Sequence, residues 1–216
     1  MNDVSQASTL PLMMMMNVVV PGQLLTWDAV HTEQVDLIRE ATRRNGGLAA
    51  CLGEAGAEHG WPKIPAEYGT EMIVEGFDVT PGNVLQMTVR GGRRFRVLER
   101  RLQEPYLPVV DVVWLDSIDP PPALPLDGRH DLLKAMVEGR HKAYPDRYPG
   151  WDSPDNLVNA EWLSWRIAGE FSFMTPERKL AVLREEDAIK RLDDMFEFFL
   201  LDTLGPDSPY SKKPEA

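Results

Sequence analysis

Val84-Leu85-Gln86-Met87-Thr88-Val89-Arg90-Gly91-Gly92-Arg93-Arg94-Phe95-Arg96-Val97-Leu98 is the stretch whose periodicity decides the fold. Leu85, Met87 and Val89 alternate with Gln86, Thr88 and Arg90, and Phe95 and Val97 resume the alternation beyond the two glycines. A period of two is that of a strand with one buried face. Because paired glycines accept the positive φ angles that tight hairpin turns need, Gly91-Gly92 predicts a two-residue turn between strands Val84–Arg90 and Arg93–Arg101. The Leu/Met/Val/Phe face is then expected to point inward, and Arg94 and Arg96 outward.

Working outward, Leu10–Val20 and Leu48–Leu52 are short apolar runs, while Gly69–Val79 and Tyr106–Leu115 are rich in β-branched and aromatic residues. Together with the hairpin they make six strands. One helix interrupts them, from Asp28 to Arg44, with Val35, Ile38 and Thr42 on one face and Asn45-Gly46-Gly47 as its stop. Beyond Trp114 the chain meets Asp119-Pro120-Pro121-Pro122 and Pro125, a stiff connector that can continue neither a ladder nor a helix. Helices follow: Asp127–Tyr144, a segment opened by Ser153-Pro154 and carrying Val158, Trp162, Trp165 and Ala168, a short helix from Thr175-Pro176 to Glu185, and a last one ending at Gly205-Pro206. The expected division is a β-subdomain over residues 1–122, a helical bundle over 123–206 and a loose tail over 207–216.

With 23 Lys and Arg against 34 Asp and Glu, the 216-residue chain carries a formal charge of -11, which works against general attraction to nucleic acid or anionic lipid. A single cysteine, Cys51, allows no internal disulfide and points to a reducing, cytoplasmic setting. The apolar run from Leu10 is about eleven residues long, too short for a bilayer, which takes roughly 20. No basic residue precedes it, so it does not read as a signal peptide either.

Three segments in order resemble the amino-terminal, substrate-recognition domain of the Lon protease family. The first is Leu10-Pro11-Leu12 through Asn17-Val18-Val19-Val20-Pro21-Gly22, similar to that domain's opening strand and its Pro-Gly end. The second runs from Tyr68-Gly69-Thr70 through Gly91-Gly92-Arg93-Arg94-Phe95-Arg96-Val97, and the third from Asn159-Ala160-Glu161-Trp162-Leu163 through Leu183-Arg184-Glu185-Glu186-Asp187 to Arg191-Leu192. The resemblance implies an α+β fold, a six-stranded PUA-like pseudo-barrel followed by an α-helical subdomain, and a role in binding polypeptide without catalytic residues of its own. Gln23-Leu24-Leu25-Thr26-Trp27-Asp28 departs from the family's usual leucine-proline-leucine strand and aromatic-glutamate-proline-arginine turn.

Catalytic chemistry leaves no signature. An ATPase would carry Gly-x-x-x-x-Gly-Lys-[Ser/Thr] to cradle phosphates, and the glycine cluster nearest to it, Gly53, Gly56 and Gly60, lacks the lysine and hydroxyl. His31, His59, His130 and His141 show no metal-ligand spacing and read as surface or capping residues; the last two, eleven apart on one helix, sit roughly 16 Å apart along its axis. No cofactor, metal or catalytic residue is expected. Arg90, Arg93, Arg94, Arg96, Arg100 and Arg101 form the best argument for RNA, set against a solvated hairpin face that pairs with Glu185, Glu186, Asp187, Asp193 and Asp194. Trp27, Trp61, Tyr68 and Trp114 could line a groove for an extended peptide, although each residue type is more often core than site. Met13 to Met16, alternating across a strand, read first as packing. The leading expectation is a stand-alone, ATP-independent, non-catalytic module that binds unfolded polypeptide or a specific protein through Trp27, Trp61, Tyr68, Arg93, Arg94 and Arg96, on the barrel or at its junction with the helices. Its rivals are an RNA binder using Arg90–Arg101 and a residual hydrolase.

Overall fold

A computed structural model describes residues 7–29, 32–43, 46–54, 64–81, 84–103, 107–115, 122–124, 128–146, 151 and 153–205. The chain divides into two compact units, Met1–Asp116 and Ser117–Ala216.

The first unit holds β1 (Ser8–Met15), β2 (Leu24–Ala29), α1 (Thr32–Arg43), β3 (Leu48–Glu54), β4 (Ile64–Thr80), β5 (Val84–Gln103) and β6 (Leu107–Leu115). These strands form one six-stranded sheet in the order β2-β5-β4-β3-β1-β6, and β6 also pairs with β5. That extra pairing closes β5, β4, β3, β1 and β6 into a ring, leaving β2 as an added strand on the first half of β5.

Alternate residues of β1 and β3 feed two apolar clusters. Met13, Leu48 and Ala50 join Leu37, Ile38 and Ala41 of α1 with Met72, Met87 and Val89, whereas Leu10, Leu12, Ala49 and Cys51 join Phe95, Val110 and Val112. Burial on both faces is why β1 and β3 read as continuous apolar runs instead of alternations. The methionine run divides as expected: Met13 and Met15 pack on one cluster, Met14 on the other, and Met16 is 87% exposed.

Three expectations about this unit need correction. Gly91-Gly92 is not a hairpin turn: β5 runs through it, and among the described glycines only Gly22 and Gly205 have positive φ. The glycines mark a change of partner, since Leu85–Arg90 pairs with β2 and Arg94–Gln103 with β6 while β4 follows both halves on the other edge. Space explains Gly91, because a Cβ there would meet the Val20 carbonyl oxygen at 2.1 Å. A second correction is that Asp28 lies in β2, not in the helix. Paired residue for residue with β5, β2 had no alternation strong enough to separate it from the helix that follows. Finally, the first strand stops at Met15, and Val18–Val20 leads into a turn in which Gln23 N–H donates to Val20 O at 3.1 Å and Gly22 takes φ 68°. Proline followed by a glycine of positive φ is the pattern of a type II turn.

The second unit contains α2 (Gly128–Ala143), α3 (Pro154–Leu157), α4 (Ala160–Glu170), α5 (Pro176–Arg184) and α6 (Ala188–Leu204). Helix α5 starts where Thr175-Pro176 predicts, with the Thr175 hydroxyl accepting from Arg178 N–H. The segment opened by Ser153-Pro154 is not one helix, because Asn159 is extended and bridges Ala123 antiparallel, while Ala160 N–H donates to Pro122 O. Strand-like pairing there ends α3, and the Asn159 side chain recaps the chain by accepting from Trp162 N–H at 2.9 Å. Residues 119–121 of the proline connector fall outside the described residues.

Arg191, fully buried, ties this unit together. Its guanidinium donates to Ser164 Oγ at 3.2 Å, to Glu185 O at 2.8 Å and to Glu186 O at 3.1 Å, pairs with the Glu161 carboxylate, and lies 4.2 Å from the Trp165 ring centroid. Burial pulls its pKa below the ordinary arginine value, and Glu161 pushes back.

Candidate functional site

Four of the six expected site residues sit on two neighbouring strands. Tyr68 on β4 is in register with Arg96 on β5, and Thr70 with Arg94 two positions along. Tyr68 and Arg96 are half-buried, and Arg93 is exposed with its guanidinium 4.6 Å from the Trp114 ring centroid. Arg94 contradicts its expected outward orientation: it is 3% exposed. The step from Gly91 to Arg94 on β5 spans three residues against two on β4, Met72 to Thr70, and this register shift puts Arg94 out of step with Arg90 and on the face of buried Met72. Trp27 lies apart from this row, on β2 opposite Met87, half-buried and packed against the cluster that includes α1. Trp61 falls outside the described residues.

The arginines find partners inside their own sheet. Arg90 forms a forked pair with Glu75, its Nη2 at 3.1 Å, and Arg101 forks onto Asp111 at 2.9 and 3.0 Å. Asp111 also accepts from the Thr9 hydroxyl, so one carboxylate joins β5, β6 and β1. These bonds, the Arg101 fork first, hold the Asp111 pKa below the usual carboxylate value. Of the helical acids expected as arginine partners, Glu185 pairs with Lys190, Asp193 with Arg129 at 3.2 Å, and Asp187 caps α6. His130, expected at the surface, is 2% exposed, with Nε2 3.4 Å from Asp193 Oδ1. It falls on the same helical face as Leu133 and Val137, a position from which burial could have been read.

Cys51, the one thiol, is buried and desolvation pushes it up to about 12, which keeps it protonated and poorly nucleophilic. Among the described residues, no group of three or more His, Cys, Asp or Glu could hold a metal ion. No helix among them is long and apolar enough to cross a membrane.

One feature escaped sequence reasoning. β4 pairs with β3 only between Ile64 and Met72, but with β5 as far as Thr80. Among the described residues, Ile73–Thr80 therefore has a strand on one side only. Val74 packs against the α1-side cluster, but three other apolar side chains are exposed, Ile73 at 43%, Phe77 at 50% and Val79 at 61%, and Leu24 on β2 is 48% exposed. The available signal was length: Gly69–Val79 is predicted at about twice the length of Leu48–Leu52, so part of it had to outrun that partner.

The family described as the ATP-dependent protease La (LON) substrate-binding domain matches residues 9–199. Among solved structures, a Lon N-terminal domain protein from Xanthomonas campestris is similar with a TM-score of 0.67 and 30% sequence identity, covering 87% of this chain and 96% of its own. The N-terminal domain of the Mycobacterium avium complex Lon protease shares the fold with a TM-score of 0.60 at 17% identity, over 88% of this chain and 97% of its own. No curated protein matches. The expected α+β arrangement, a six-stranded sheet followed by helices, is that of these neighbours. The chain belongs to the Lon substrate-binding domain family.

Proposed function

We propose that the protein is a non-catalytic, ATP-independent module that binds unfolded polypeptide in the cytoplasm. The observation that carries this reading is the match to a substrate-binding domain over residues 9–199. Exposed Ile73, Phe77 and Val79 on a strand with one free edge supply apolar contact surface of the kind unfolded chains offer in return. The RNA reading loses support because Arg90 and Arg101 are neutralised by Glu75 and Asp111, and Arg94 is buried.

Fluorescence anisotropy with labelled, reduced and carboxymethylated lactalbumin tests the proposal, with the calcium-bound native form as the folded control. Saturable binding of the unfolded form without ATP, weak or no binding of the native form, and an intact substrate on a gel are expected. Absence of binding to the unfolded form, or its cleavage, would overturn the reading.

A further inference from the structure

We propose that the edge of β4 over Ile73–Thr80, unpaired among the described residues, takes up an extended polypeptide segment by strand addition, preferring one that alternates apolar and basic residues. This rests on the polypeptide-binding reading above and names the surface and the chemistry of the occupant.

Geometry supplies the first argument. A strand with a partner on one side presents a row of N–H and C=O groups that another chain can complete, and the resulting affinity is largely independent of sequence. Here Asp78, Val79 and Thr80 pair with Gln86, Leu85 and Val84 of β5, whereas the β3 ladder has already ended at Met72. Val79 N–H donates to the Asp78 carboxylate at 2.8 Å, a makeshift local bond that an incoming carbonyl could replace. Edges are commonly guarded by Lys, Pro or inward charges. Ile73-Val74-Glu75-Gly76-Phe77-Asp78-Val79-Thr80 contains no Lys or Pro, and its register irregularity between Val74 and Gly76 leaves the last five residues regular.

Side-chain alternation supplies the second argument. Phe77 and Val79 are in register with Met87 and Leu85, so they extend the apolar face of the sheet beyond the cluster that those residues join. Asp78 faces the other way, in register with Gln86, whose carboxamide donates to Asp28 at 2.9 Å. The groups that donate to Asp78 and Asp28 in these bonds are a backbone amide and a carboxamide, neither of them a cation. An added strand would therefore set alternate residues beside Phe77 and Val79, and the residues between them beside Asp78. Apolar side chains suit the first positions and lysine or arginine the second, which the net charge of -11 reinforces at longer range.

The test uses the full chain and a fluorescein-labelled eight-residue peptide alternating valine and lysine. Binding should be saturable, at least tenfold weaker for the peptide with glutamate in place of lysine, and lost when the amides on its bonding edge are N-methylated. Val79→Pro removes an edge donor, and Phe77→Lys sets a charge on the apolar side at a half-exposed position. Each should raise Kd at least tenfold with an unchanged melting temperature. Two variants guard against Val79→Pro failing to fold. Equal affinity for a folded variant, undiminished binding of the N-methylated peptide, or no binding to wild type would overturn the inference. So would a concentration-dependent dimer, seen by sedimentation and lost in Phe77→Lys, because a second copy would then own the edge. If carboxymethylated lactalbumin binds wild type and both variants alike, the edge is wrong while polypeptide binding stands; if it does not bind wild type, both readings fall.

Discussion

A Cβ placed on Gly91 would lie 2.1 Å from the carbonyl oxygen of Val20. Gly91 O accepts from Gly22 N–H at 2.7 Å and Gly91 N–H donates to Gln23 O at 2.8 Å, so the turn after β1 is clamped onto the middle of β5 with no room for a side chain. The obstructing atom belongs to the backbone and cannot rotate away. Gly91→Ala should therefore cost about 2 kcal/mol or more in chemical denaturation, within the range of overpacked sites. Gly92→Ala meets side-chain ends of Glu71 and Ile73 at 2.9 and 3.0 Å, which can move, and should cost less. Gly76, with nothing within 4 Å, is the control and should change stability little on substitution by alanine. Equal midpoints for all three variants would refute the clamp.

Removing one member of the Arg191–Glu161 pair leaves a charge buried without its partner. Glu161→Gln or Arg191→Met should each lower stability by about 3 kcal/mol, the scale for breaking a buried ion pair. Arg191→Lys should recover little, because one ammonium cannot serve Ser164 Oγ, two carbonyls and a carboxylate on three sides. Thermal melts of the single and double variants provide the cycle; additive losses would mean that the two side chains act separately.

The Asp111 carboxyl, held below its ordinary value, makes a pH prediction with a definite sign. A carboxylate whose folded pKa is depressed adds stability that is present above its unfolded pKa, about 3.9, and lost as pH falls through the folded value. Asp111→Asn should cost about 1 kcal/mol at pH 7, discounted for partial exposure, and the gap from wild type should close below about pH 4. Denaturation midpoints at pH 3 and pH 7 measure it. A gap of the same size at both would assign the effect to shape.

Cys51 should resist a thiol-directed disulfide reagent in the native state and react fully in guanidinium, since the folded thiol is buried and raised to about 12. The sign for stability runs opposite to that of Asp111. The folded state retains the proton, so this contribution is intact below the unfolded thiol pKa, about 8.5, and is lost as pH rises from there toward 12. Rapid labelling under native conditions would contradict the burial.

How legible the molecule was in its sequence can be seen at particular residues. Leu85, Met87 and Val89 share one apolar face, as their alternation states, whereas Phe95 and Val97 pack on the other cluster, because a register shift opposite Thr70 and Met72 interrupts the alternation of β5. What alternation could not state was partnership. Gly91-Gly92 looks the same whether it turns a chain back or lets a neighbouring backbone come close, and only the position of Val20 separates the two. β2 was invisible for the same reason, being a strand through its pairing with β5. The helix start at Thr175-Pro176 was readable because a cap is local chemistry, whereas the one at Asn159 was not, because the bridge to Ala123 is not local. In the candidate site, Tyr68 and Arg96, each named from its residue type, fall in register on neighbouring strands, a relation that pairing alone determines. The free edge of β4 stayed hidden because the end of a strand's pairing is a property of its partner.

Arg94 and Arg93, adjacent in sequence, should respond in opposite ways to the same substitution. Arg94 is 3% exposed, so Arg94→Glu puts a carboxylate where a buried guanidinium stands, a change of the kind that costs 3 kcal/mol or more and should yield little soluble, cooperatively melting protein. Arg93 is exposed and stacks on Trp114, so Arg93→Glu gives up a contact worth roughly 0.5–1 kcal/mol and should leave the fold intact. Trp114 fluorescence should shift in the Arg93 variant, since the cation is removed from its ring. Equal tolerance at both positions would mean that Arg94 reaches solvent, and would restore the arginine face that an RNA-binding surface requires.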